Sequence, residues 1–381
     1  MTGRKHDFPD DLQDFEVAGR LTIDLSALKA NWKALARRAE PAEAAAVVKA
    51  DAYGLGIERV VPALAEAGCK TFFVAILSEA RRVRMAAPDA TIYVLEGLAY
   101  GAASVFRDYA VRPVLGSLEE IDHWAGHCRQ WGQSLPAAVH VDTGMTRLGL
   151  TLAEADALAE DPSHFDHFRL ALVMSHLACA DTPDHPLNRE QLRRFTDLRK
   201  RLPDAPASLA NSAGTIIGGD FLFDLVRPGV AIYGGRAVGG IPNPMRPVIT
   251  VEARVIRIRE ATAGTPVGYS GAERLMRDSR LAILSAGYAD GYLRAGGSAD
   301  GRPGAEVTIN GQAAPVVGRV SMDMIAVDIT DFDENAVKTG DYVELLGNRF
   351  TVDDLADKAG TIGYEILTNL GRRFRHIVKD G

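Results

Sequence analysis

Cysteine is scarce in this chain of 381 residues, and its three cysteines lie far apart. Cys69, Cys128 and Cys179 are odd in number and form no Cys-x-x-Cys pair. This pattern argues against both a disulfide framework and a structural zinc site. We expect reduced, packed thiols, which are the usual state of cysteines in the cytosol, and no bound metal.

Long apolar runs are missing as well. No stretch of about eighteen residues is apolar and free of charge, which is what a membrane-spanning helix requires. The first residues, MTGRKHDFPDDLQDFEV, are polar and acidic and lack the apolar segment of a secretory signal. We therefore expect a cytoplasmic protein without a membrane partner.

The sequence has no excess of positive charge. Its formal net charge of −7 gives no general attraction to nucleic-acid phosphates, so we expect no nucleic-acid partner. Hydrophobic residues make up 47% and charged residues 24% of the chain, as in ordinary globular proteins. A chain of this length needs two domains, or one large barrel with an appendage.

Short apolar or β-branched runs alternate with helical patterns from residue 44 onward. Eight of these runs are strand candidates, and they cover residues 44–48, 72–76, 91–95, 111–114, 137–141, 170–174, 207–210 and 224–230. Helices are predicted at 26–40, at 117–131 with Ser117 as N-cap, and at 188–202. Eight strand–helix units are the number that closes a (β/α)8 barrel of the TIM type. A doubly wound open sheet is the alternative from pattern alone.

The pattern changes at the proline-rich stretch 242–247, which is typical of a linker. We place a barrel domain at residues 20–245 and a mainly β domain at 246–381. Strand candidates in the second domain, separated by glycine turns, cover residues 248–259, 281–284, 307–309, 313–317, 325–329 and 342–346. They indicate a small antiparallel barrel or sandwich. The only helix predicted there lies near 352–359.

Lys49 is the strongest candidate for chemistry. It follows a wholly apolar strand in the segment VVKADAYGLG. Barrel enzymes place catalytic groups at the carboxyl ends of strands. An amine in a partly desolvated pocket loses its proton more easily and can form a Schiff base. The alternative is a lysine that reaches from the strand end into water.

Three further segments place polar groups after strands. Arg147, in HVDTGMTRLG, can pair with a carboxylate or a phenolate. Arg227 lies beside Gly229, where backbone amides can approach an anion. Ser212 begins a helix after the seventh strand, where barrels commonly bind phosphate. Taken singly, the arginines also fit surface ion pairs, worth about 0–1 kcal/mol, and the serine fits an ordinary N-cap.

Taken together, these segments resemble the alanine racemase family of fold-type III pyridoxal-phosphate enzymes. The resemblance covers nearly the whole chain from about residue 20 onward. Its motifs occur in the family's order and are VVKADAYGLG, DTGMTRLG, SHLACAD, LANSAG, RPGVAIYG, VGYSGAE, GYADGY, GRVSMDM and GYEILTNLGRR. The resemblance implies pyridoxal 5'-phosphate as cofactor and a homodimer.

The resemblance also assigns roles to the matching residues. It implies that Lys49 carries the cofactor covalently and that Arg227 faces the pyridine nitrogen, with His176 hydrogen-bonded behind it. The residues implied to hold the phosphate are Tyr53, Ser212, Gly229, Val230 and Tyr364. Because a guanidinium cannot accept a proton, the ring would stay unprotonated and withdraw electrons weakly.

Two opposed bases move the α-proton in this family. The resemblance gives these roles to Lys49, acting on D-alanine, and to Tyr269, acting on L-alanine. Arg147 and the Met322 backbone would bind the substrate carboxylate. Tyr269 and Met322 would reach the site from the other subunit of a head-to-tail dimer. The implied function is alanine racemase, which supplies D-alanine for cell-wall peptidoglycan.

His140 departs from the family's pattern. Many members carry a lysine there, which becomes carbamylated and positions the arginine that corresponds to Arg147. Histidine cannot be carbamylated, so the sequence leaves open which group orients Arg147.

Three alternative functions share parts of this site. A barrel decarboxylase would carry a glutamate where Arg227 stands and a cysteine near the C-terminus, yet no cysteine follows Cys179. A non-enzymatic barrel protein that binds pyridoxal phosphate would lack the second domain. A broad-specificity racemase for serine or lysine would use the same bases in a larger pocket. Tyr364 favours alanine by narrowing the entrance, although one methylene changes discrimination by only about 1–3 kcal/mol.

Overall fold

The computed structural model describes residues 13–299, 301–371 and 373–380. These residues form two compact units. The barrel unit comprises residues 28–246, and the β unit comprises the described residues up to 27 together with those from 247 onward. Within the described ranges, no helix is long and apolar enough to cross a membrane.

Strand β1 (Gly19–Asp24) and helix α1 (Leu25–Ala39) precede the barrel strands. Helix α1 confirms the helix predicted at 26–40, with its start one residue earlier. No strand is predicted before it, and the barrel domain is predicted to begin at residue 20. Residues 20–24 instead belong to β1, which pairs with strands from the C-terminal part of the chain and therefore lies in the β unit.

Short parallel strands form the barrel unit. Between residues 28 and 246 they are β2 (Glu43–Ala44), β3 (Ala46–Val47), β4 (Thr71–Val74), β5 (Thr91–Val94), β6 (Arg112–Leu115), β7 (Pro136–His140), β8 (Arg169–Met174), β9 (Ala207–Ser208) and β10 (Leu225–Val226). Strands β3 to β9 form one parallel sheet, and β10 pairs with β2. The Asp224 amide donates to the Ala207 carbonyl at 3.0 Å, which joins β9 to β10. The ring is therefore closed. Because β2 and β3 are parts of one predicted strand, the predicted (β/α)8 barrel is confirmed and the open sheet is wrong.

Helices alternate with these strands. They are α2 (Lys49–Tyr53), α3 (Ile57–Glu66), α4 (Leu77–Ala86), α5 (Ala103–Asp108), α6 (Leu118–Trp131), α7 (Leu152–Glu160), α8 (Pro186–Arg199) and α9 (Ser212–Ile217), with short 3-10 helices at Pro162–Phe165, Gly219–Phe221 and Val230–Tyr233. The predicted N-cap of α6 is confirmed, because Ser117 Oγ accepts a hydrogen bond from the Glu120 amide at 3.1 Å. Strand side chains such as Phe72, Phe73 and Val139 are fully buried and form the core.

The β unit is a mainly antiparallel sheet. Its other strands are β11 (Ile249–Ala261), β12 (Pro266–Val267), β13 (Glu273–Arg274), β14 (Ser279–Leu284), β15 (Glu306–Ile309), β16 (Gln312–Pro315), β17 (Ile325–Asp328), β18 (Tyr342–Leu346) and β19 (Phe374–Lys379). The strand order is β16-β15-β18-β11-β1-β19, and β14 joins β11 to β17. The pairs are antiparallel apart from β1 with β19. The six predicted strands are confirmed.

Helices α10 (Val352–Ala359) and α11 (Gly363–Asn369) also belong to the β unit. The prediction that helix returns only near 352–359 is therefore wrong. Helix α11 begins with a glycine, which weakens the local helical signal. It is stabilised by the complete burial of Ile366 and Leu367. Further 3-10 helices lie at Asp14–Glu16, Tyr269–Gly271, Tyr288–Asp290 and Arg294–Gly296.

Candidate active site

Lys49 lies at the carboxyl end of β3 and begins α2, which is an unusual turn. Ala50, Asp51 and Ala52 have φ between 53° and 54° and ψ between 47° and 51°. Tyr53 also has a φ of 54°. Left-handed backbone costs about 1–2 kcal/mol for each residue other than glycine. Consecutive residues held in this state are expected mainly at functional sites, where the surrounding structure over-determines them.

The environment of Lys49 shifts its amine toward the neutral form. Burial lowers the pKa of Lys49, and the positive charge of Arg147 lowers it further. The carboxylates of Glu79 and Glu96 act in the opposite direction but do not prevail. A neutral amine is the form that attacks a carbonyl group and accepts a proton. The Lys49 side chain is partly buried, so its amine is partly removed from water.

Tyr53, Ser212 and Gly229 meet beside this turn. Ser212 Oγ accepts a hydrogen bond from the Gly229 amide at 2.7 Å. A Cβ atom at Gly229 would lie 2.3 Å from Tyr53 Oη, so only glycine allows this approach. The Tyr53 ring stacks on Tyr233 with centroids 4.4 Å apart, which fixes its direction. The cluster presents hydroxyls and backbone amides, which are neutral donors suited to a phosphate.

Arg227 is 3% exposed and is held by neutral partners. Its guanidinium donates to Ser208 Oγ, to the Ser175 carbonyl at 2.5 Å and to His176 Nδ1 at 3.5 Å. Burial lowers the pKa of Arg227 to about 9, which leaves it charged at neutral pH. Burial and the Arg227 charge lower the pKa of His176 well below its usual value, so His176 is a neutral acceptor. The Arg227–His176 contact expected from the resemblance is thus present.

Arg147 lies on an exposed loop after β7, and Asp142 holds that loop. One Asp142 carboxylate oxygen accepts from the amides of Gly144 and Met145 at 2.8 Å each, and the other accepts from the Thr146 amide at 2.8 Å. Thr146 is left-handed with φ of 57°. Three backbone amides thus donate to one charged carboxylate, and such charge-assisted hydrogen bonds hold a short loop firmly. They fix the backbone that leads into Arg147.

His140 is 9% exposed at the end of β7. Burial, and then the charges of Arg227 and Arg147, lower the pKa of His140 to about 4, although Asp142 acts in the opposite direction. His140 is therefore neutral at physiological pH. It adds no negative charge beside Arg147, in contrast to a carbamylated lysine.

We expect His140 to reduce stability on acidification. The unfolded chain binds a proton at this histidine below about pH 6.5, whereas the folded protein binds it only near pH 4. Stability is therefore unaffected above pH 6.5, falls by roughly 3 kcal/mol between these pH values, and falls no further below them. Urea unfolding of the wild type and of His140→Gln across this range checks the expectation. The exposed His167→Gln serves as control, and an equally steep loss in His140→Gln would contradict it.

The remaining predicted residues lie in the β unit. Tyr269 is 68% exposed and follows Gly268, whose φ is 72°. Met322 is 53% exposed on a loop held by the amides of Tyr288 and Ala289, which donate to the carbonyls of Ser321 and Met322 at 3.0 Å each. Tyr364 is the second residue of α11. The structure thus brings the predicted barrel residues together in one unit and presents Tyr269 and Met322 on the surface of the other.

Sequence reasoning missed two residues that shape the site. Asp142 lies inside the DTGMTRLG motif, so its role could have been found from the Asx pattern of an aspartate two to four residues before the amides that it binds. Glu79 is a buried carboxylate at the third position of α4. Its position predicts only a helix cap.

The comparison with known families agrees with this geometry. The family described as "Alanine racemase, N-terminal domain" matches residues 23–237, and "Alanine racemase, C-terminal domain" matches residues 248–378.

The chain belongs to the alanine racemase family.

Individual members are similar over almost their whole length. The alanine racemase of Methylobacterium sp. (strain 4-46) is 51% identical over 354 residues, which cover 93% of this chain and 96% of that protein. The biosynthetic alanine racemase of Agrobacterium fabrum is 48% identical over 98% of each chain. The crystal structure of alanine racemase from Bartonella henselae, with covalently bound pyridoxal phosphate, matches with a TM-score of 0.90 at 40% identity, over 95% of this chain and 99% of that one. The resemblance to the alanine racemase family is confirmed.

Proposed function

We propose that the protein is a pyridoxal-phosphate-dependent alanine racemase that interconverts L-alanine and D-alanine. The observation that carries this proposal is the placement of Lys49 at a barrel strand end, where burial lowers its pKa, at the start of the turn that leads to the cluster of Tyr53, Ser212 and Gly229. Membership in the alanine racemase family supports it. When bound, pyridoxal phosphate makes the α-proton of an attached amino acid acidic.

The residues present fit this cofactor. Lys49 would hold its aldehyde carbon, and Arg227 would donate to its pyridine nitrogen. The groups that would hold its phosphate are Tyr53, Ser212, Gly229, Val230 and Tyr364. Because Arg227 has no site for another proton, it leaves that nitrogen unprotonated. Arg227 therefore keeps electron withdrawal moderate, which favours simple return of the α-proton over side reactions.

Two bases on opposite faces of the α-carbon would carry out the inversion. A single fixed base reaches one face, so removal from one side and return to the other requires a second group. Lys49 would remove the proton of D-alanine and Tyr269 that of L-alanine, each returning it in the reverse reaction. Arg147 and the Met322 backbone would bind the substrate carboxylate. The guanidinium of Arg147 would also stabilise the phenolate form that Tyr269 needs as a base.

We propose that Tyr269 and Met322 act in the site of another subunit of a homodimer. Both are more than half exposed in the single chain. Other large apolar side chains of the β unit are exposed as well, among them Met276 at 93%, Met324 at 46% and Ile256 at 37%. A dimer contact would remove these side chains from water.

Mixing two inactive variants tests the shared site. We expect Lys49→Ala and Tyr269→Phe proteins, unfolded and refolded together, to regain about a quarter of wild-type activity. The reason is that half of the random dimers combine one intact Lys49 with one intact Tyr269, at one of their two sites. Separately refolded variants are the control. A mixture as inactive as its components, despite heterodimers seen by mass spectrometry, would mean that each site uses residues of one chain.

The proposed role is the supply of D-alanine for cell-wall peptidoglycan in the cytoplasm, with a small amino acid as substrate and no nucleic-acid or membrane partner. Support comes from the family and from the negative net charge of −7.

The first experiment incubates the purified protein and pyridoxal phosphate separately with L-alanine, L-serine, L-lysine and L-ornithine. Chiral chromatography then resolves the enantiomers. We expect fast conversion of alanine. Comparable conversion of the larger substrates would indicate a broad-specificity racemase. Cofactor binding without any D-isomer would indicate a non-enzymatic binding protein.

A further inference from the structure

Glu79 connects helix α4 to the left-handed turn of Lys49. The side chain is 8% exposed. One carboxylate oxygen, Oε1, accepts a hydrogen bond from the Asp51 amide at 3.1 Å, in the middle of the turn. The other, Oε2, accepts from the amides of Ala75 and Ile76 at 3.0 and 3.4 Å, between β4 and α4. A single buried carboxylate therefore ties the turn to the neighbouring strand and helix.

Helix α4 supplies a second contact to the same turn. Arg82, three residues after Glu79, donates from Nη2 to Asp51 Oδ1 at 2.6 Å. The same Asp51 oxygen accepts from the Ile57 amide at 3.0 Å, which closes the turn at its far end. Arg82 and Asp51 are partly exposed, so water weakens their ion pair. The buried Glu79 carboxylate is the stronger of the two contacts.

The left-handed turn determines where two functional side chains lie. Lys49 begins it and Tyr53 ends it, so the same backbone positions both side chains, and it places the Tyr53 hydroxyl beside Gly229. Residues such as Ala50 and Ala52 have no intrinsic preference for this conformation. A hydrogen-bond acceptor placed at the Asp51 amide stabilises this left-handed conformation. We propose that Glu79 is a positioning residue, which holds the left-handed turn and thereby directs Lys49 and Tyr53 toward the cofactor.

The charge of Glu79 has a separate effect that must be distinguished from its hydrogen bonds. Both Glu79 and Glu96 raise the pKa of Lys49 through their negative charge. Glu96 is exposed two residues after β5, and its carboxylate serves as a control that shares the charge effect. A purely electrostatic role would therefore be shared by Glu79 and Glu96. A positioning role would belong to Glu79.

The experiment compares Glu79→Gln, Glu79→Asp and Glu96→Gln with the wild type. Glutamine keeps the size of Glu79, but its amide NH2 group is a donor and cannot accept a hydrogen bond from one of the two sets of backbone amides. Aspartate keeps the charge but is one methylene too short to bridge both sets. We measure amide hydrogen exchange at residues 50–53 in the cofactor-free protein, the dissociation constant of pyridoxal phosphate, and the pH profile of its uptake.

We expect both Glu79 variants to exchange the turn amides about tenfold faster and to bind pyridoxal phosphate about tenfold more weakly, as for one lost bond to a charged group. In Glu96→Gln we expect wild-type exchange, with only the pH profile of uptake shifted to lower pH. Glu79→Asp keeps the buried negative charge, so it still tests the positioning role if Glu79→Gln folds poorly.

Wild-type exchange and affinity in both Glu79 variants would overturn the positioning role, as would equal changes in Glu96→Gln. The inference rests on the proposed function for the identity of the cofactor. If the wild type bound no pyridoxal phosphate, the proposed function would fail, while the exchange data would still show whether Glu79 holds the turn.

Discussion

Replacing Lys49 with alanine is expected to abolish both cofactor attachment and racemisation. The Lys49 side chain is partly buried at the carboxyl end of β3, and burial lowers its pKa. In the proposed mechanism it is both the attachment point and one of the two bases. Loss of a general base alone typically slows a reaction by about 10²–10⁴-fold, and loss of the covalent link adds to this. We therefore expect less than about one ten-thousandth of the wild-type rate.

Two measurements check this expectation. Chiral chromatography gives the rate, and visible absorbance reports whether pyridoxal phosphate is bonded to a lysine. The matched control is Lys33→Ala, which removes an exposed lysine on α1 and should leave both unchanged. Thermal unfolding of Lys49→Ala shows whether the fold survives. A folded variant that lacks the absorbance and still racemises alanine would show that the chemistry lies elsewhere.

The barrel could be predicted from the sequence because its strands are short, apolar and regularly separated by helices. Phe72 and Phe73, for example, are both fully buried, as neighbours in a parallel strand covered on both faces would be. Strands β1 and β19 could not be predicted in this way. These two strands pair with each other although they lie at opposite ends of the chain, with Leu21 opposite His376. The local sequence of either strand therefore gives no sign of its partner. Long-range pairing of this kind overrides local propensity.

The candidate site could likewise be predicted from the sequence only in part. An amine after an apolar strand is enough to single out Lys49, and the family's motifs supply the proposed roles of the other residues. The left-handed sense of the turn after Lys49 is invisible in its sequence, because it depends on Glu79 and Arg82, which lie 28 and 31 residues beyond Asp51. A local motif can therefore identify the reactive side chain without showing which residues position it.

Tyr269→Phe is expected to stop racemisation while leaving the cofactor bound. The change removes one hydroxyl from a residue that is 68% exposed, so stability should change by no more than about 0.5 kcal/mol. Without the second base, the rate of inversion should fall by about 10²–10⁴-fold. In deuterium oxide, Lys49 should still exchange the α-hydrogen of D-alanine with retention of configuration. L-alanine should keep its α-hydrogen, since Tyr269 is the base proposed for that face.

This asymmetry distinguishes a two-base mechanism from the alternatives more sharply than the loss of activity does. Mass spectrometry of the recovered alanine gives the deuterium content of each enantiomer, with the wild type and Tyr100→Phe, a substitution at a 95% exposed tyrosine, as controls. Exchange of L-alanine at the wild-type rate in Tyr269→Phe would mean that another group removes its proton. Loss of exchange from both enantiomers with the cofactor still bound would mean that Lys49 cannot act alone on D-alanine, and that the two residues work as one relay.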